Sequence, residues 1–277
     1  PEDRRVAIDP NHSHFVFVDD GKEGESAFGC EIDLRAEFET CICTTSFGND
    51  DEGHPLPTPP MVLLVVGGGP NTLENVLATL KQARPVVVFV DSGGAAKHMR
   101  DWWDNLALRA KKSPAAKSDD VLLQSFDLVL PAGWTEDKYR DRLRQICELG
   151  KQPRGAMKMP QLSFFSTSDD VSAGNDLDMR ILTSLLSDVE KMMEAVNLAV
   201  SWGEPTIIRN QLDESREHDK SGLARVFEKA LLLDNAPVVE TLIQYNAQAK
   251  AVRLSKLWHA TLKNLGMVGG DGDVNLP

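Results

Sequence analysis

Residues Met61–Glu74 read MVLLVVGGGPNTLE, and this stretch decides the fold that the sequence predicts. The apolar run Met61–Val66 is typical of a strand that is buried on both faces. Gly67–Gly69 follow it directly and allow the phosphates of a ligand to approach the backbone closely. The helix that begins next directs its free N–H groups at an anion. The stretch therefore predicts a site for a nucleotide or nucleotide-sugar diphosphate.

A second glycine turn follows the next apolar run. Val86–Val90 predicts another buried strand, and Asp91–Gly94 (DSGG) lies directly after it. The predicted helices Asn71–Gln82 and Ala95–Leu108 alternate with these strands, which is typical of βαβ units. Because parallel strands present their carboxyl ends at one edge of a sheet, we expect both glycine turns at the same edge.

The first half of the chain is therefore predicted to be an α/β lobe. An earlier apolar run, Phe15–Val18, is interpreted as a further strand of the same sheet. The predicted fold class is α/β, a Rossmann-like parallel sheet with flanking helices, followed by an α-helical repeat lobe. We predict the boundary between the two lobes at residues 131 and 132, so that the lobes are 1–131 and 132–277.

The second half has helical periodicity almost throughout. Trp134–Gly150 predicts a helix with Thr135 as its cap, and Leu162–Phe165 predicts a short strand. Turns such as Trp202–Pro205 join later helices into hairpins, and hairpins of this kind stack as repeats. The remaining predicted helices are Leu177–Ser187, Val189–Trp202, Pro205–Leu212, Gly222–Leu233, Pro237–Tyr245 and Leu254–Leu265.

Composition excludes several classes of function. The net charge of −12 and the pI near 5.0 argue against a general nucleic-acid or acidic-membrane surface. The four cysteines have no CxxC spacing, so neither a disulfide framework nor a zinc site is predicted. No apolar stretch approaches the roughly 20 residues that span a bilayer. The chain begins at Pro1 without a methionine, which indicates a piece of a longer protein.

Other polar groups are interpreted as structural. His12 and His14 have no carboxylate or cysteine at the spacing of metal ligands. Asp19–Gly21 predicts a turn, because no further ligands follow at the spacing of a calcium loop. Loops without chemistry are predicted at Asn49–Pro60 and Lys111–Asp120.

An enzymatic alternative depends on Glu74. The pattern Gly-Gly-x-x-Thr-x-x-Glu resembles the motif of nucleoside-monophosphate phosphoribohydrolases of the "lonely guy" type, in which a glutamate assists cleavage of an N-glycosidic bond. Here Glu74 stands one residue closer to Thr72 than that spacing expects, which moves its carboxylate by roughly 100° around the helix. Catalysis is therefore disfavoured, and no catalytic residue is predicted.

Three segments in order resemble the N-terminal homology region of melastatin-type transient receptor potential (TRPM) cation channels. They are His12–Gly21, Phe28–Arg35 and Val65–Glu74. Later segments resemble the continuation of that region into ankyrin-like helices. These are Leu162–Leu186, Leu198–Ile208 and Lys229–Ala247.

This resemblance implies a Rossmann-like nucleotide-sensing domain of the SLOG type, which packs on a helical arm. It implies a place at the cytoplasmic face of the plasma membrane, in a homotetrameric and calcium-permeable channel, with neighbouring subunits as partners. The region itself would be non-enzymatic, would not insert into the membrane, and would need no cofactor or metal. ADP-ribose is the implied regulatory ligand.

The resemblance also implies roles for single residues. Phe28 matches an aromatic position of the ADP-ribose site and can stack on adenine, although it lacks the hydroxyl of a tyrosine. Arg35 matches an arginine of that site, and its forked donors suit a diphosphate. The family's Gly-Ser-Gly-Arg turn is Asp91–Gly94 here, so the second arginine is absent at Gly94. The first βα units of the fold are expected before Pro1.

The predicted ligand-binding residues are Phe28, Arg35, Gly67, Gly68, Gly69, Asn71, Thr72, Ser92, Gly93 and Gly94. Each side chain also has an ordinary structural interpretation. Arg35 is flanked by glutamates and is suited to a surface salt bridge, Phe28 to a core, and Asn71 or Thr72 to capping a helix. A third hypothesis is an assembly platform that binds no nucleotide.

Overall fold

The computed structural model describes residues 8, 10–24, 29–49, 53, 55, 56, 58–154, 159–168, 177–189, 192–213, 220–248, 252, 255, 257 and 258. The first elements are α1 (Ile32–Thr44), β1 (Leu63–Val66), α2 (Pro70–Lys81), β2 (Val86–Phe89), α3 (Gly94–Ala110), α4 (Asp119–Gln124) and α5 (Glu136–Gly150). Three short strands follow, which are β3 (Pro153–Arg154), β4 (Met159–Pro160) and β5 (Leu162–Phe165). The last helices are α6 (Leu177–Asp188), α7 (Met192–Trp202), α8 (Pro205–Asp213), α9 (Lys220–Leu232) and α10 (Ala236–Gln244).

A parallel sheet forms the centre of the first lobe. Its strand order is β1, β2, β5, and Val86 of β2 lies between Leu63 of β1 and Leu162 of β5. Apolar side chains from one face of this sheet form a single core with α2, α3 and α5. On the opposite face, α6 contacts β2 and β5. The predicted fold class, a Rossmann-like parallel sheet with flanking helices followed by further helices, is confirmed.

Local sequence explains how α2 begins. Pro70 occupies its first position, where the missing N–H costs nothing because that group would have no partner inside the helix. Thr72 Oγ1 accepts a hydrogen bond of 3.1 Å from the amide of Gly69, the residue that precedes the helix. Leu73 and Val76 are completely buried in the core. Thr72 thus caps the helix, as one of its interpretations predicted.

The core of the α/β lobe continues beyond the predicted boundary at residue 131. Helix α5 begins at the predicted cap, since Thr135 Oγ1 accepts from the amide of Lys138 at 3.1 Å. Its residues Leu143 and Ile146 are completely buried against α2 and α3. Strand β5 then pairs with β2 in parallel. The change from strand to helix periodicity at residue 132 therefore does not mark the end of this packing unit.

The predicted strand Phe15–Val18 is wrong. Residues 14–20 form no strand, and the side chains of Phe15, Val16 and Phe17 are 45%, 74% and 78% exposed. A strand needs a neighbour that pairs with its backbone groups, and an apolar run cannot supply that neighbour by itself. In the described sheet, β1 and not this segment is the outer strand.

The second lobe consists of paired helices. Helix α7 packs on α8 and α9, and α10 packs on α8 and α9. Their apolar faces meet in a core that includes Val200, Ile208, Phe227 and Leu242. The helices predicted between residues 177 and 245 are confirmed, whereas most of the predicted helix Leu254–Leu265 lies outside the described residues. No helix in the described ranges combines the length and apolar character needed to cross a membrane.

Candidate functional site

The two glycine turns meet at the carboxyl edge of the sheet. The turn after β1 and the turn after β2 are joined by two backbone hydrogen bonds. The amides of Ala95 and Ala96 donate to the carbonyls of Gly68 and Gly67 over 2.9 Å and 3.1 Å. The predicted convergence of the turns is therefore observed, and we call this pair of segments, residues 67–69 and 92–94, the joined turns.

Two amides of the joined turns are already bonded to side chains of the protein. The amide of Gly67 donates to Ser92 Oγ at 2.6 Å, and the amide of Gly69 donates to Thr72 Oγ1. Ser92 Oγ itself donates to the carbonyl of Phe89. Ser92 and Thr72 thus hold the shape of the turns, and their hydroxyls are engaged within the protein.

Three amides remain for a ligand. Among the residues that the structure describes, the backbone N–H groups of Gly68, Asn71 and Gly94 donate to no other residue. Two of them lie at the start of α2 and the third begins α3, where the partial positive charge of each helix N-terminus favours an anion. The joined turns therefore retain three donors at the position where the sequence predicted a phosphate.

A polar chain leads from α1 to α5 beside the joined turns. Arg35 Nη2 donates to Asn75 Oδ1 at 2.5 Å, and Asn75 Nδ2 donates to the carbonyl of Asn71 at 3.3 Å. Asn71 Oδ1 in turn accepts from Trp134 Nε1 at 3.0 Å. Arg35 also pairs with Glu39 at 3.3 Å, so the salt bridge of its structural interpretation is present.

The sequence did not predict Trp134 as a residue of the site. It indicated only that Trp134 precedes the cap of α5. No local pattern connects it to Asn71, which lies 63 positions earlier. The ammonium of Lys138 lies over the Trp134 ring, 4.3 Å from its centroid. This cation–π contact and the hydrogen bond hold the indole beside the start of α2.

A cavity of about 370 Å³ opens next to this polar chain. Its lining consists of Val16–Val18, Gly29–Glu31 and Asn71. The cavity is large enough for a nucleobase or a small nucleotide portion. Phe28, the predicted stacking residue, lies outside the described residues, directly before the lining residue Gly29.

Glu74 is held by α5. Its carboxylate accepts from Arg142 Nε at 2.9 Å and lies 3.4 Å from Lys138 Nζ. Both basic residues lie on α5, so the pairs connect that helix to α2. Glu74 therefore contributes to the contact between these two helices.

Asp91 connects the second glycine turn to the end of β5. Its carboxylate accepts from Ser166 Oγ at 2.7 Å and from the amide and hydroxyl of Thr167 at 2.6 Å and 2.7 Å. These hydrogen bonds hold the pKa of Asp91 below its ordinary value, and the bond from the Thr167 hydroxyl has the largest effect. Asp91 therefore fixes the turn and is not a free base.

Metal ligands do not cluster in the described part of the chain, where no group of three or more His, Cys, Asp or Glu residues could hold an ion. Asp19 and Asp20 form the predicted turn, accepting from the amides of Gly21 and Lys22 at 2.8 Å and 3.1 Å. The prediction of a turn at this position is confirmed.

Comparison with known proteins agrees with the geometry. Residues 1–122 match the family described as SLOG in TRPM. The chain is 27% identical over 253 residues to transient receptor potential cation channel subfamily M member-like 2 of Nematostella vectensis, covering 88% of this chain and 15% of that protein. It is 27% identical over 250 residues to subfamily M member 6 of Homo sapiens, covering 88% and 11%.

A third relative is subfamily M member 2 of Mus musculus, which is 27% identical over 245 residues, covering 84% of this chain and 15% of that protein. The chain therefore spans only 11% to 15% of the length of these relatives. These matches support the assignment of the chain to a TRPM-type N-terminal region, and residues 1–122 match the SLOG domain of that family.

Proposed function

We propose that this chain is the ligand-sensing and assembly region of a TRPM-like cation channel, and that a nucleotide diphosphate such as ADP-ribose binds at the joined turns. The observation that carries the proposal is the set of three unbonded amides, those of Gly68, Asn71 and Gly94, at two adjacent helix N-termini. Backbone donors at fixed positions suit a pyrophosphate, because its oxygens accept several hydrogen bonds at once.

The base would occupy the neighbouring cavity. Asn71 lines that cavity and also contributes one of the free amides, so the two parts of the proposed site share a residue. Phe28 would pack against the base. Arg35 would hold the diphosphate, exchanging its contact with Asn75 for the ligand. The ligand's charge favours this exchange, because a guanidinium binds an anion more strongly than a neutral amide oxygen.

The helical lobe would transmit the bound state. Helix α6 contacts β2 and β5 of the sheet and also contacts α7 of the second lobe. A ligand that binds one arrangement of these elements more tightly than another biases the arrangement by that difference in affinity. We propose that the paired helices are ankyrin-like repeats. They would carry the bias to neighbouring subunits of a homotetramer and to a calcium-permeable pore, at the cytoplasmic face of the plasma membrane.

We further propose that the region is not an enzyme. The pairing of Glu74 with Arg142 and Lys138 supports this proposal, because the hydrolase alternative needs that carboxylate to act on a substrate. Its position in the contact between α2 and α5 favours a structural role.

Calorimetric titration of ADP-ribose and AMP into the 277-residue chain tests the proposal. We expect binding of ADP-ribose, and we expect Arg35→Gln to weaken it by at least about tenfold, since a charged hydrogen bond contributes roughly 1.5–3 kcal/mol. Arg144→Gln is the matched control, because Arg144 pairs with Asp119 on an exposed surface and lies outside the proposed site. Melting curves verify that each variant is folded.

The same samples separate the alternatives. Release of free base from AMP, abolished by Glu74→Ala, would support the phosphoribohydrolase instead. Self-association in gel filtration without any nucleotide binding would support the assembly platform. An unchanged affinity in Arg35→Gln would remove Arg35 from the site.

A further inference from the structure

A second cavity, of about 460 Å³, lies between the two lobes. Helix α1, residues 58–60 and the turn before β2 form one wall, and α7 forms the other. The polar side chains that line it include Thr40, Gln82, Arg84, Glu194, Asn197 and Ser201. None of the joined turns contributes to it, so this cavity is separate from the nucleotide site proposed above.

Arg84 is the unusual residue of this cavity. Its relative exposure is only 4%, yet its guanidinium makes a single hydrogen bond among the described residues, from Nη1 to Met61 Sδ at 3.9 Å. A thioether sulfur is a weak and neutral acceptor. Arginine is almost never buried without an anionic partner, because removing a guanidinium from water is costly. Arg84 thus brings a buried positive charge to the cavity and forms no ion pair with a described residue.

The other lining groups are polar. Thr40 Oγ1 donates to Gln82 Oε1 at 2.7 Å, and both residues line the cavity with Arg84. On the α7 wall, Asn197 and Ser201 are held by Lys229, whose Nζ donates to Asn197 Oδ1 at 2.8 Å and to Ser201 Oγ at 2.5 Å. Lys229 thereby brings a second positive charge to the edge of the cavity.

Glu194 restricts the ligand further. It is an acidic residue on the α7 wall of the same cavity, and like charges repel. We therefore place the oxyanion of the ligand at Arg84, on the opposite wall.

We propose that this cavity binds a small organic molecule through one oxyanion group, a phosphate monoester or a carboxylate, with Arg84 as its charged anchor. Arg84 belongs to the α/β lobe and Asn197 and Ser201 to the helical lobe. A molecule bound between them stabilises one relative position of the lobes. The cavity is therefore a regulatory site that is independent of the joined turns.

Two probes of the 277-residue chain test this site and distinguish the two sources of the oxyanion. Inorganic phosphate is followed by phosphorus NMR and calorimetry, and acetate is followed by calorimetry. We expect saturable binding of at least one probe in the millimolar range, weakened at least about tenfold in Arg84→Gln and largely retained in Arg84→Lys. Without a probe, Arg84→Gln is expected to unfold at a higher temperature than the wild type, since it removes a buried unpaired charge.

Three further variants make the result specific. Thr44→Trp adds bulk at an exposed lining position and leaves Arg84 intact, so it should block binding by occlusion. Arg144→Gln should bind the probes as the wild type does, because this residue does not line the cavity. Arg35→Gln identifies phosphate bound at the joined turns and should leave the binding that depends on Arg84 unchanged. Absence of binding by both probes, no difference in binding between Arg84→Gln and the wild type, or a loss in Arg35→Gln alone, would overturn the proposal.

Discussion

Gly94 is the residue at which the joined turns come into closest contact. A Cβ atom added to it would collide with the carbonyl oxygen of Gly68, and its φ angle is already +54°. We expect Gly94→Ala to lower the free energy of unfolding by about 1–3 kcal/mol, because the backbone must either move apart or accept a strained conformation. Urea denaturation of the full chain measures this loss.

Gly69 provides the control within the same site. Its φ angle is −123°, which any residue adopts, and a Cβ atom there meets nothing within 4 Å. Gly69→Ala should therefore cost less than about 1 kcal/mol, mainly through its position before the helix. Equal losses in the two variants would mean that contact between the turns contributes nothing to stability.

His98 gives the protein a dependence on pH. Its ring stacks on Phe126 with a centroid distance of 4.1 Å, and Nδ1 lies 2.8 Å from the hydroxyl of Tyr139. Burial lowers the pKa of His98 from its ordinary value of 6.5. The negative charges of Asp101 and Asp127 raise the pKa, but their effect is smaller than that of burial. The unfolded chain therefore takes up a proton more readily than the folded chain does.

The contribution of His98 to the free energy of unfolding is accordingly fully present above pH 6.5 and decreases as the pH falls below that value. We expect the free energy of unfolding to decline between neutral and mildly acidic pH, and His98→Gln to show a smaller decline. Urea titrations across this range in both proteins provide the measurement. An equal decline in the variant would assign the pH dependence to other groups.

At the scale of elements, α5 and α2 are connected by the pair Arg142–Glu74. The side chains of both residues are only about a quarter exposed, at 24% and 25%. A double-mutant cycle with Glu74→Gln and Arg142→Gln is expected to give a coupling free energy of about 1 kcal/mol, near the upper end for surface pairs. The comparison pair Arg144–Asp119, with Arg144 at 51% exposure, should give a smaller value. A larger coupling in the comparison pair would contradict this argument.

Elements with a complete local pattern were predictable from the sequence. Strand β2 is a continuous apolar run and helix α2 has its own hydrophobic periodicity, and Pro70 and Thr72 mark the start of the helix. The run Phe15–Val18 also carries an apolar pattern, but it forms no strand, because pairing depends on a neighbour far away in the chain. The pairing of β5 with β2 could not be predicted from the sequence either, because the sequence of a short strand does not specify its partner.

The candidate site was predictable to a similar extent. The position of both glycine turns at one sheet edge follows from the strand directions, and the structure has them joined. The bonds that occupy the amides of Gly67 and Gly69 depend on the side chains of Ser92 and Thr72. Rotamers of this kind, and the burial of Arg84, are set by tertiary packing, which no local pattern encodes.

At the scale of the whole molecule, the core of the α/β lobe includes elements from beyond residue 131. Tyr139, Leu143, Ile146 and Leu162 are at most 1% exposed and pack with the sheet. Full burial of a large apolar side chain stabilises a protein by about 1.5–3 kcal/mol, and the net stability of a domain is only about 5–15 kcal/mol. A chain that ends at residue 131 lacks all four and leaves β2 without β5.

We therefore expect a chain of residues 1–131 to show no cooperative unfolding, whereas residues 1–189, which keep α5, β5 and α6, unfold in one cooperative transition. Thermal melts followed by circular dichroism, with dispersion of amide signals in NMR spectra, distinguish the two results. The longer chain controls for the loss of the second helical core, since α7 to α10 are absent from both. Cooperative unfolding of residues 1–131 would place the boundary where the sequence periodicity changes and would make α5 and β5 part of the helical lobe.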